Sequence, residues 1–233
     1  MNASSPRGLR LFLSRLPRVA VFYIVMGLVL MLTAGRLDWV DAWVFLIAYF
    51  LVAAAGQAWL TRTDPSLVEE RSRWGSNTKA WDRWIVSANA LLTLALLVVI
   101  ALDAGRFGWS HVAGLVRLAA PLGFVPAFGL PLLASRANTF LASTVRIQTE
   151  RGQAVVSAGP YAWIRHPMYA GMILFDVSLP LLLGSCCGLG VSTVMVALVI
   201  LRTALEDRTL QAELPGYAQY ARRVRFRLLP GLW

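Results

Sequence analysis

Six apolar windows dominate the sequence and fall near residues 19–35, 40–60, 84–102, 112–134, 168–184 and 189–205. A helix that crosses a bilayer needs about 20 apolar residues, so the first four windows qualify as spans and the last two are at the short limit. With 58% hydrophobic and 15% charged residues, the chain is unlike an ordinary soluble domain. We therefore predict an all-α integral membrane protein. About four N-terminal transmembrane helices are followed by a C-terminal helical hairpin, which gives five to six spans.

Arginine is concentrated in alternate loops of the predicted bundle. The N-terminal arm, the 61–83 loop, the 135–166 segment and the tail from residue 207 are rich in arginine, whereas the loops between them are poor in charge. Loops rich in Lys and Arg stay on the cytoplasmic side of a membrane. The alternation therefore predicts that both termini are cytoplasmic. The Arg-rich, Lys-poor composition is typical of a GC-rich bacterial genome, so we expect a bacterial inner membrane.

The composition also excludes several function classes. The net charge of +10 fits loops beside anionic lipid headgroups better than nucleic acid, because no basic stripe lies on a soluble module. The adjacent Cys186 and Cys187 leave no disulfide framework, and with His111 and His166 as the only histidines we expect no metal site. Dinucleotide-binding Gly-x-Gly-x-x-Gly, Walker and Gly-x-Ser-x-Gly motifs are absent from the sequence.

Ionisable residues lie at both ends of the last apolar hairpin. His166 precedes Pro167, which suits the first turn of a helix, so His166 is expected at a helix N-terminus that favours an anion. Arg202 and Glu206 are spaced i, i+4 at the end of the sixth window and share a helix face. Charge near hydrocarbon is costly and usually functional. Because a hairpin returns its ends to one membrane face, we predict that these groups line one pocket at the membrane boundary.

Each of these features also has a simpler explanation. The Arg-His-Pro segment can be an interfacial helix start without a ligand, and Arg202 and Glu206 can form an ion pair that reaches the interface. The tail, with Tyr217 and Tyr220 at helical spacing, can be a basic amphipathic helix that lies on the cytoplasmic leaflet. Asp176 lies inside the fifth window, where a carboxylate is a functional candidate or a buried residue.

The C-terminal motifs occur in an ordered combination that resembles a known family. They are Asn138-Thr139-Phe140, Val145-Arg146-Ile147-Gln148, Gly159-Pro160-Tyr161, Arg165-His166-Pro167-Met168-Tyr169-Ala170-Gly171, Arg202-Thr203-Ala204-Leu205-Glu206, Gly216-Tyr217 and Tyr220. Together, over about residues 136–233, they resemble the isoprenylcysteine carboxyl methyltransferase family and its phospholipid N-methyltransferase relatives.

The resemblance implies a membrane enzyme that uses S-adenosyl-L-methionine. It would transfer a methyl group to a carboxylate, amine or thiol of a lipid-like or small amphipathic substrate. The resemblance also implies a division of the chain into transmembrane helices over 1–135 and a catalytic region over 136–233, which contains the hairpin and the basic tail. The implied cofactor contacts, which surround a cytoplasmic pocket, are His166, Pro167, Tyr169, Gly171, Arg202, Glu206, Tyr217 and Tyr220. Catalytic roles are implied for Arg165, His166 and Glu206.

Two further points follow from the resemblance. Arg225 and Arg227 are candidates for closing the site with the tail. Many relatives have two consecutive Glu where this chain has Glu206-Asp207, which leaves the role of Asp207 open. Two other function classes also stay open. One is a nicotinamide-dependent oxidoreductase, because membrane sterol reductases share a similar His-Pro-x-Tyr-x-Gly region. The other is a non-catalytic membrane scaffold.

The fourth apolar window is interrupted by helix-breaking residues. Gly123, Pro126, Gly129 and Pro131 lie within it. Such residues kink a membrane helix and let its neighbours pack closely. We expect these kinks to widen a lateral path by which a lipid chain reaches the site.

Overall fold

The computed structural model describes residues 6–71 and 78–233 and shows an all-helical bundle, with no β-strand in those ranges. Five of its helices are long and apolar enough to cross a membrane. The predicted all-α membrane architecture is therefore confirmed. Residues 1–5 and residues 72–77, which belong to the predicted 61–83 loop, lie outside the described residues. The helices are α1 (Pro6–Ala34), α2 (Val40–Thr63), α3 (Pro65–Arg71), α4 (Ala80–Ile100), α5 (Gly114–Ala137), α6 (Pro167–Leu183), α7 (Cys186–Glu213) and α8 (Tyr217–Arg223).

The last two helices form the predicted hairpin, but its arms differ in length. α6 has 17 residues and α7 has 28, so α7 is long enough to span although its apolar window is short. The predicted window ended near residue 205, and the polar residues beyond it, to Glu213, continue the helix. Cys186 and Cys187 begin α7 directly after Ser185, whose hydroxyl accepts a hydrogen bond from Gly188 N at 2.9 Å.

A buried carboxylate fixes the hairpin tip. α4 continues through a π-helical segment, Ala101–Phe107, and Asp103 in that segment is fully buried. Asp103 accepts hydrogen bonds from Ser110 N at 2.7 Å and from Ser185 Oγ at 2.6 Å. The hairpin turn is thereby tied to the end of α4, which sets where the two arms begin.

The opposite end of the bundle gathers the chain segments that surround the site. Leu60 at the end of α2 and Leu67 in α3 are buried together, and Leu11 of α1 and Leu141 pack against them. The start of α1 therefore lies at the same end as the start of α6 and the end of α7. Both described ends of the chain are found there, as the prediction of termini on one side of the membrane requires.

The fourth apolar window forms α5, and α5 packs closely against α6 where a widened lateral path was predicted. A Cβ atom on Gly171 would lie 2.6 Å from Pro131 Cδ and 2.9 Å from Ala127 O. A Cβ atom on Gly123 would lie 2.1 Å from Ser178 Oγ. Glycine at these positions brings the two helices together. The expectation that Gly123 and Pro131 open a lateral path at this interface is therefore wrong.

We predict that Gly171→Ala destabilises the protein through this contact. The added methyl group has no room beside Pro131, and overpacking of this kind costs about 1–3 kcal/mol. The measurement is the thermal unfolding midpoint in detergent. Gly129→Ala is the matched control, because nothing lies within 4 Å of its Cβ position. Alanine also favours a helix over glycine, so the control should unfold at the same or a higher temperature. Equal midpoints for the two variants would contradict the packing role of Gly171.

Candidate functional site

A cavity of about 340 Å³ lies where α6 begins and α7 ends. Its volume falls at the lower end of the range of about 300–1,000 Å³ that small-molecule sites occupy. Helices α4, α6, α7 and α8 form its walls together with the 138–156 segment. Gly171 does not line it, since it packs on α5. All the other predicted site residues do: Arg165, His166, Pro167, Tyr169, Arg202, Glu206, Tyr217 and Tyr220.

Asp207 is the centre of a buried polar network beside the cavity. Its side chain has no solvent exposure. Asp207 accepts hydrogen bonds from Gln211 Nε2 of α7 itself at 2.8 Å and from Arg165 Nη2, just before α6, at 3.1 Å. It also accepts from Tyr217 OH of α8 at 3.0 Å and from Arg227 Nε, after α8, at 3.0 Å. His166 Nε2 lies 3.3 Å from Asp207 Oδ1. The network joins α7, the lead-in to α6 and the tail. The role of Asp207, left open by the sequence, is to hold these segments together.

The tail is bound to the body of the protein by backbone contacts as well. Arg165 N donates to Phe226 O at 3.0 Å and His166 N donates to Arg227 O at 2.9 Å. Tyr220 OH donates to Tyr161 O at 2.7 Å. α8 is therefore packed on the site by its tyrosine face, with Arg222 and Arg223 exposed. The tail is therefore not a free helix, because its tyrosine face is packed on the protein, and its contact with the cytoplasmic leaflet stays a prediction.

Burial of the α8 tyrosines affects their ionisation. Tyr217 and Tyr220 are almost fully buried. Burial raises the pKa of Tyr217, and the negative charge of Asp207 raises it further. Burial likewise raises the pKa of Tyr220. Both hydroxyls are therefore protonated at neutral pH and act as hydrogen-bond donors, as their contacts require.

Arg202 and Glu206 share a face of α7, as their spacing predicts, but they do not form an ion pair with each other. Arg202 Nε donates to Asp82 Oδ1 at 2.7 Å, and its Nη2 donates to Asp82 Oδ2 at 3.2 Å. Glu206 instead accepts a hydrogen bond from Tyr169 OH. Glu206 lies on the cavity wall, and within the described residues no arginine forms an ion pair with it. The alternative explanation of a simple Arg202–Glu206 ion pair is therefore wrong.

Asp82 is a site residue that the sequence analysis missed. It is fully buried and also accepts from Val145 N at 2.7 Å, while Arg202 Nη2 donates to Ser143 O at 3.0 Å. One carboxylate thus joins α4, α7 and the 143–145 segment. The sequence signal for Asp82 was its position just before the apolar window that begins at residue 84. An acidic residue there lies at the same membrane boundary as Arg202.

The C-terminal part of the chain also matches a known family. Residues 135–212 match the model of the isoprenylcysteine carboxyl methyltransferase (ICMT) family. The match covers most of the segment whose motifs suggested that family, from the end of α5 to near the end of α7. It indicates a membrane methyltransferase. No protein of curated function matches the chain.

The cavity of this ICMT-like region has a cationic wall outside the matched residues. Arg71, at the end of α3, lines it. Its Nη1 lies 3.4 Å from Ser135 Oγ, and no carboxylate within the described ranges forms an ion pair with it. Burial lowers the pKa of Arg71, although a guanidinium stays charged in a protein. Arg71 is half-buried, and a partly desolvated cation without an anionic partner is costly, so this wall suits an anionic group of a ligand.

The membrane-facing wall of the cavity is apolar apart from one amide. Ile85, Val86, Met172 and Leu198 form this wall with Asn89. Asn89 Oδ1 is buried and has no hydrogen-bond partner. Buried polar atoms are normally hydrogen-bonded. Asn89 therefore offers an acceptor to a bound molecule in otherwise apolar surroundings.

Asp176 does not belong to this wall. It is buried within α6, and its Oδ2 has no hydrogen-bond partner, but it does not line the cavity. In the described part of the chain, no group of three or more His, Cys, Asp or Glu side chains could hold a metal ion.

We predict that Asp207→Asn destabilises the protein and loosens its tail. The change leaves Arg165 and Arg227 without a buried counter-charge, and breaking a buried ion pair costs about 3–5 kcal/mol. The measurements are the thermal unfolding midpoint and the rate of tryptic cleavage in the tail, which contains exposed arginines. Glu213→Gln is the control, because it removes only the half-exposed pair with Lys79 and should change little. If the tail of Asp207→Asn resisted trypsin as the wild type does, Asp207 would not hold it.

Proposed function

We propose that the protein is an S-adenosyl-L-methionine-dependent methyltransferase that acts on a lipid-like or small amphipathic substrate. The observation that carries the proposal is the joining of the ICMT motifs around one cavity. The motif with His166 and Tyr169 is separated from the motif with Arg202 and Glu206 by most of the hairpin, and both motifs line the cavity. A scaffold without a ligand would not need a cavity with charged walls beside the membrane.

The cavity residues fit the chemical groups of this cofactor. Glu206 can accept hydrogen bonds from ribose hydroxyls or bind an ammonium group. Arg71 suits the cofactor carboxylate, because Arg binds carboxylates through two parallel hydrogen bonds. Leu141, Val155 and Leu210 of the lining provide an apolar surface for a purine. When bound, the cofactor supplies an electrophilic methyl group on a sulfonium.

The residues of the chain contribute mainly by position. Methyl transfer is an in-line displacement, so alignment of the acceptor supplies much of the rate. A carboxylate acceptor needs no base, whereas an amine or thiol must lose a proton. His166 and Glu206 line the cavity and are our candidates to accept it. Because Asp207 lies next to His166 Nε2, Nδ1 is the ring nitrogen available to accept a proton. Arg165 acts through Asp207, by holding the carboxylate that orients His166.

The acceptor would enter from the membrane side of the cavity. The apolar wall formed by Ile85, Met172 and Leu198 suits an alkyl or isoprenoid chain, and Asn89 suits a polar group of the acceptor. The soluble cofactor would enter from the opposite, polar side. Both routes meet at Glu206 and Tyr169. The lipid-like acceptor would reach these residues from the membrane, and the cofactor would reach them from water.

This arrangement also defines the proposed organisation in the membrane. Both termini and the cofactor entrance lie on the cytoplasmic side of a bacterial inner membrane, as the arginine-rich loops favour. Residues 136–233 carry the catalytic region and residues 1–135 the N-terminal helices. The division is not complete, because Arg71, Asp82 and Asn89 add walls from the N-terminal part.

We predict that S-adenosylhomocysteine binds the detergent-purified protein and that the charged walls carry its affinity. Glu206→Gln and Arg71→Gln should each weaken binding at least about tenfold, which corresponds to about 1.4 kcal/mol for one lost charged contact. Isothermal titration calorimetry measures the dissociation constants. Glu213→Gln, a carboxylate change on the same helix, should leave the affinity unchanged.

The same titration can reject the proposal. A folded wild type that does not bind S-adenosylhomocysteine would contradict it. Binding of NADPH by that protein would favour the oxidoreductase class instead. Equal affinity for the wild type and both cavity variants would place the nucleotide outside this cavity.

A further inference from the structure

A second groove lies outside the cavity, between the lead-in to α6 and the tail. We call it the tail groove, and its volume is about 260 Å³. Trp163 lies on one side of it, and Arg223, Arg225 and Pro230 on the other, with Ala162, Val224 and Phe226 between them. Of the residues that the resemblance implies for the site, only Arg225 lines the groove, and Arg225 does not line the cavity. The tail groove is therefore a feature that the proposed methyl transfer does not use.

The groove carries a pair of cations. Arg223 and Arg225 are both exposed, and within the described residues neither guanidinium forms an ion pair with a carboxylate. By contrast, Arg227 on the same segment is committed to Asp207 at 3.0 Å. Two arginines on one groove are suited to a phosphate group, since the guanidinium matches phosphate oxygens in a bidentate geometry.

Exposed apolar side chains accompany the groove. Trp163, which lines it, is 73% exposed, and Leu229 and Leu232, which flank the lining residue Pro230 in sequence, are 49% and 77% exposed. Large apolar side chains grouped beside arginines are typical of a surface at the membrane–water interface, where Trp lies at the headgroup level. Trp163 also lies just before α6, which enters the apolar part of the bundle at Pro167. The position of Trp163 before this helix favours a groove at the level of the lipid headgroups.

We propose that the tail groove binds the headgroup phosphate of an anionic phospholipid. Arg223 and Arg225 would hold the phosphate, and Trp163, Leu229 and Leu232 would contact the upper part of the acyl chains. Anionic lipids concentrate at the cytoplasmic leaflet and attract Arg at its surface. The occupant is a lipid and not free phosphate, because the exposed apolar side chains have no role in binding a soluble ion.

The groove is built from the two segments that close the cavity. Residues 162–163 run directly into Arg165 and His166, and residues 223–226 run directly into Arg227. The two segments are already joined by Arg165 N with Phe226 O and His166 N with Arg227 O. A lipid that contacts both segments would stabilise the closed arrangement. Resting on the proposed function, we infer that an anionic phospholipid raises the affinity for the cofactor.

The binding step is tested without any enzymatic readout. The purified protein in detergent is mixed with phosphatidylglycerol or phosphatidylcholine, and native mass spectrometry counts the lipid that remains bound. We expect the wild type to retain phosphatidylglycerol preferentially. The double variant Arg223→Gln, Arg225→Gln should bind it about tenfold more weakly, since it lacks both charged contacts. Arg222→Gln, an exposed arginine outside the groove, should bind like the wild type.

Three results would overturn the lipid site. The first is equal retention of the two lipids by the wild type. The second is a loss in Arg222→Gln as large as in the double variant, because the effect would then be general surface charge. The third is displacement of the lipid by inorganic phosphate, which would assign the groove to a soluble anion. Unchanged unfolding midpoints for these surface variants establish that they are folded.

The coupling step is tested by titrating S-adenosylhomocysteine into nanodiscs with and without phosphatidylglycerol. Tighter binding with phosphatidylglycerol for the wild type, but not for the double variant, supports the coupling. Equal affinity in both membranes contradicts it and leaves the lipid site intact. If the nucleotide binds in neither membrane, the proposed function fails, while the retained lipid still decides the tail groove.

Discussion

The site depends on one buried carboxylate, that of Asp207. Its donors include Arg165 from the lead-in to α6, Tyr217 from α8 and Arg227 from the tail. A buried charge is tolerated only when it is paired and hydrogen-bonded, so these segments are held where their donors can reach it. Without the carboxylate, the side chains of Arg165, Tyr217 and Arg227 would face one another inside the protein with no acceptor for their hydrogen bonds. The shape of the cavity is a consequence of this single electrostatic requirement.

The second buried pair, Asp82 with Arg202, does the same work on the other side of the cavity. It fixes α4 against α7 and holds the 143–145 segment through Val145 N and Ser143 O. α4 lies outside the residues that match the ICMT family. The ICMT-like region therefore depends on a helix from the N-terminal part, and a fragment that contains only residues 136–233 would leave Arg202 without its counter-charge.

The sequence predicted the helices and most of the cavity wall because both follow from local signals. Apolar windows mark spans, and Pro167 after His166 marks the start of α6, which begins at Pro167. The partners of the charged residues could not be predicted in the same way. The spacing of Arg202 and Glu206 shows that they share a face, but pairing of Arg202 with Asp82 joins residues that are 120 positions apart. Gly171 likewise has a motif position that a ligand could explain, whereas its contact with Pro131 is visible only in the packed bundle.

Glu206 and Asp207 show how adjacent carboxylates take different functions. Neighbouring residues of an α-helix point about 100° apart, so two consecutive acids cannot serve the same pocket. Glu206 faces the cavity and accepts from Tyr169 OH, whereas Asp207 faces the tail. The shorter side chain of Asp207 suits a position where four donors converge close to the helix. The longer side chain of Glu206 suits a position where the carboxylate must extend into open space. The departure from two consecutive Glu thus changes the residue that holds the tail and keeps the one that faces the cavity.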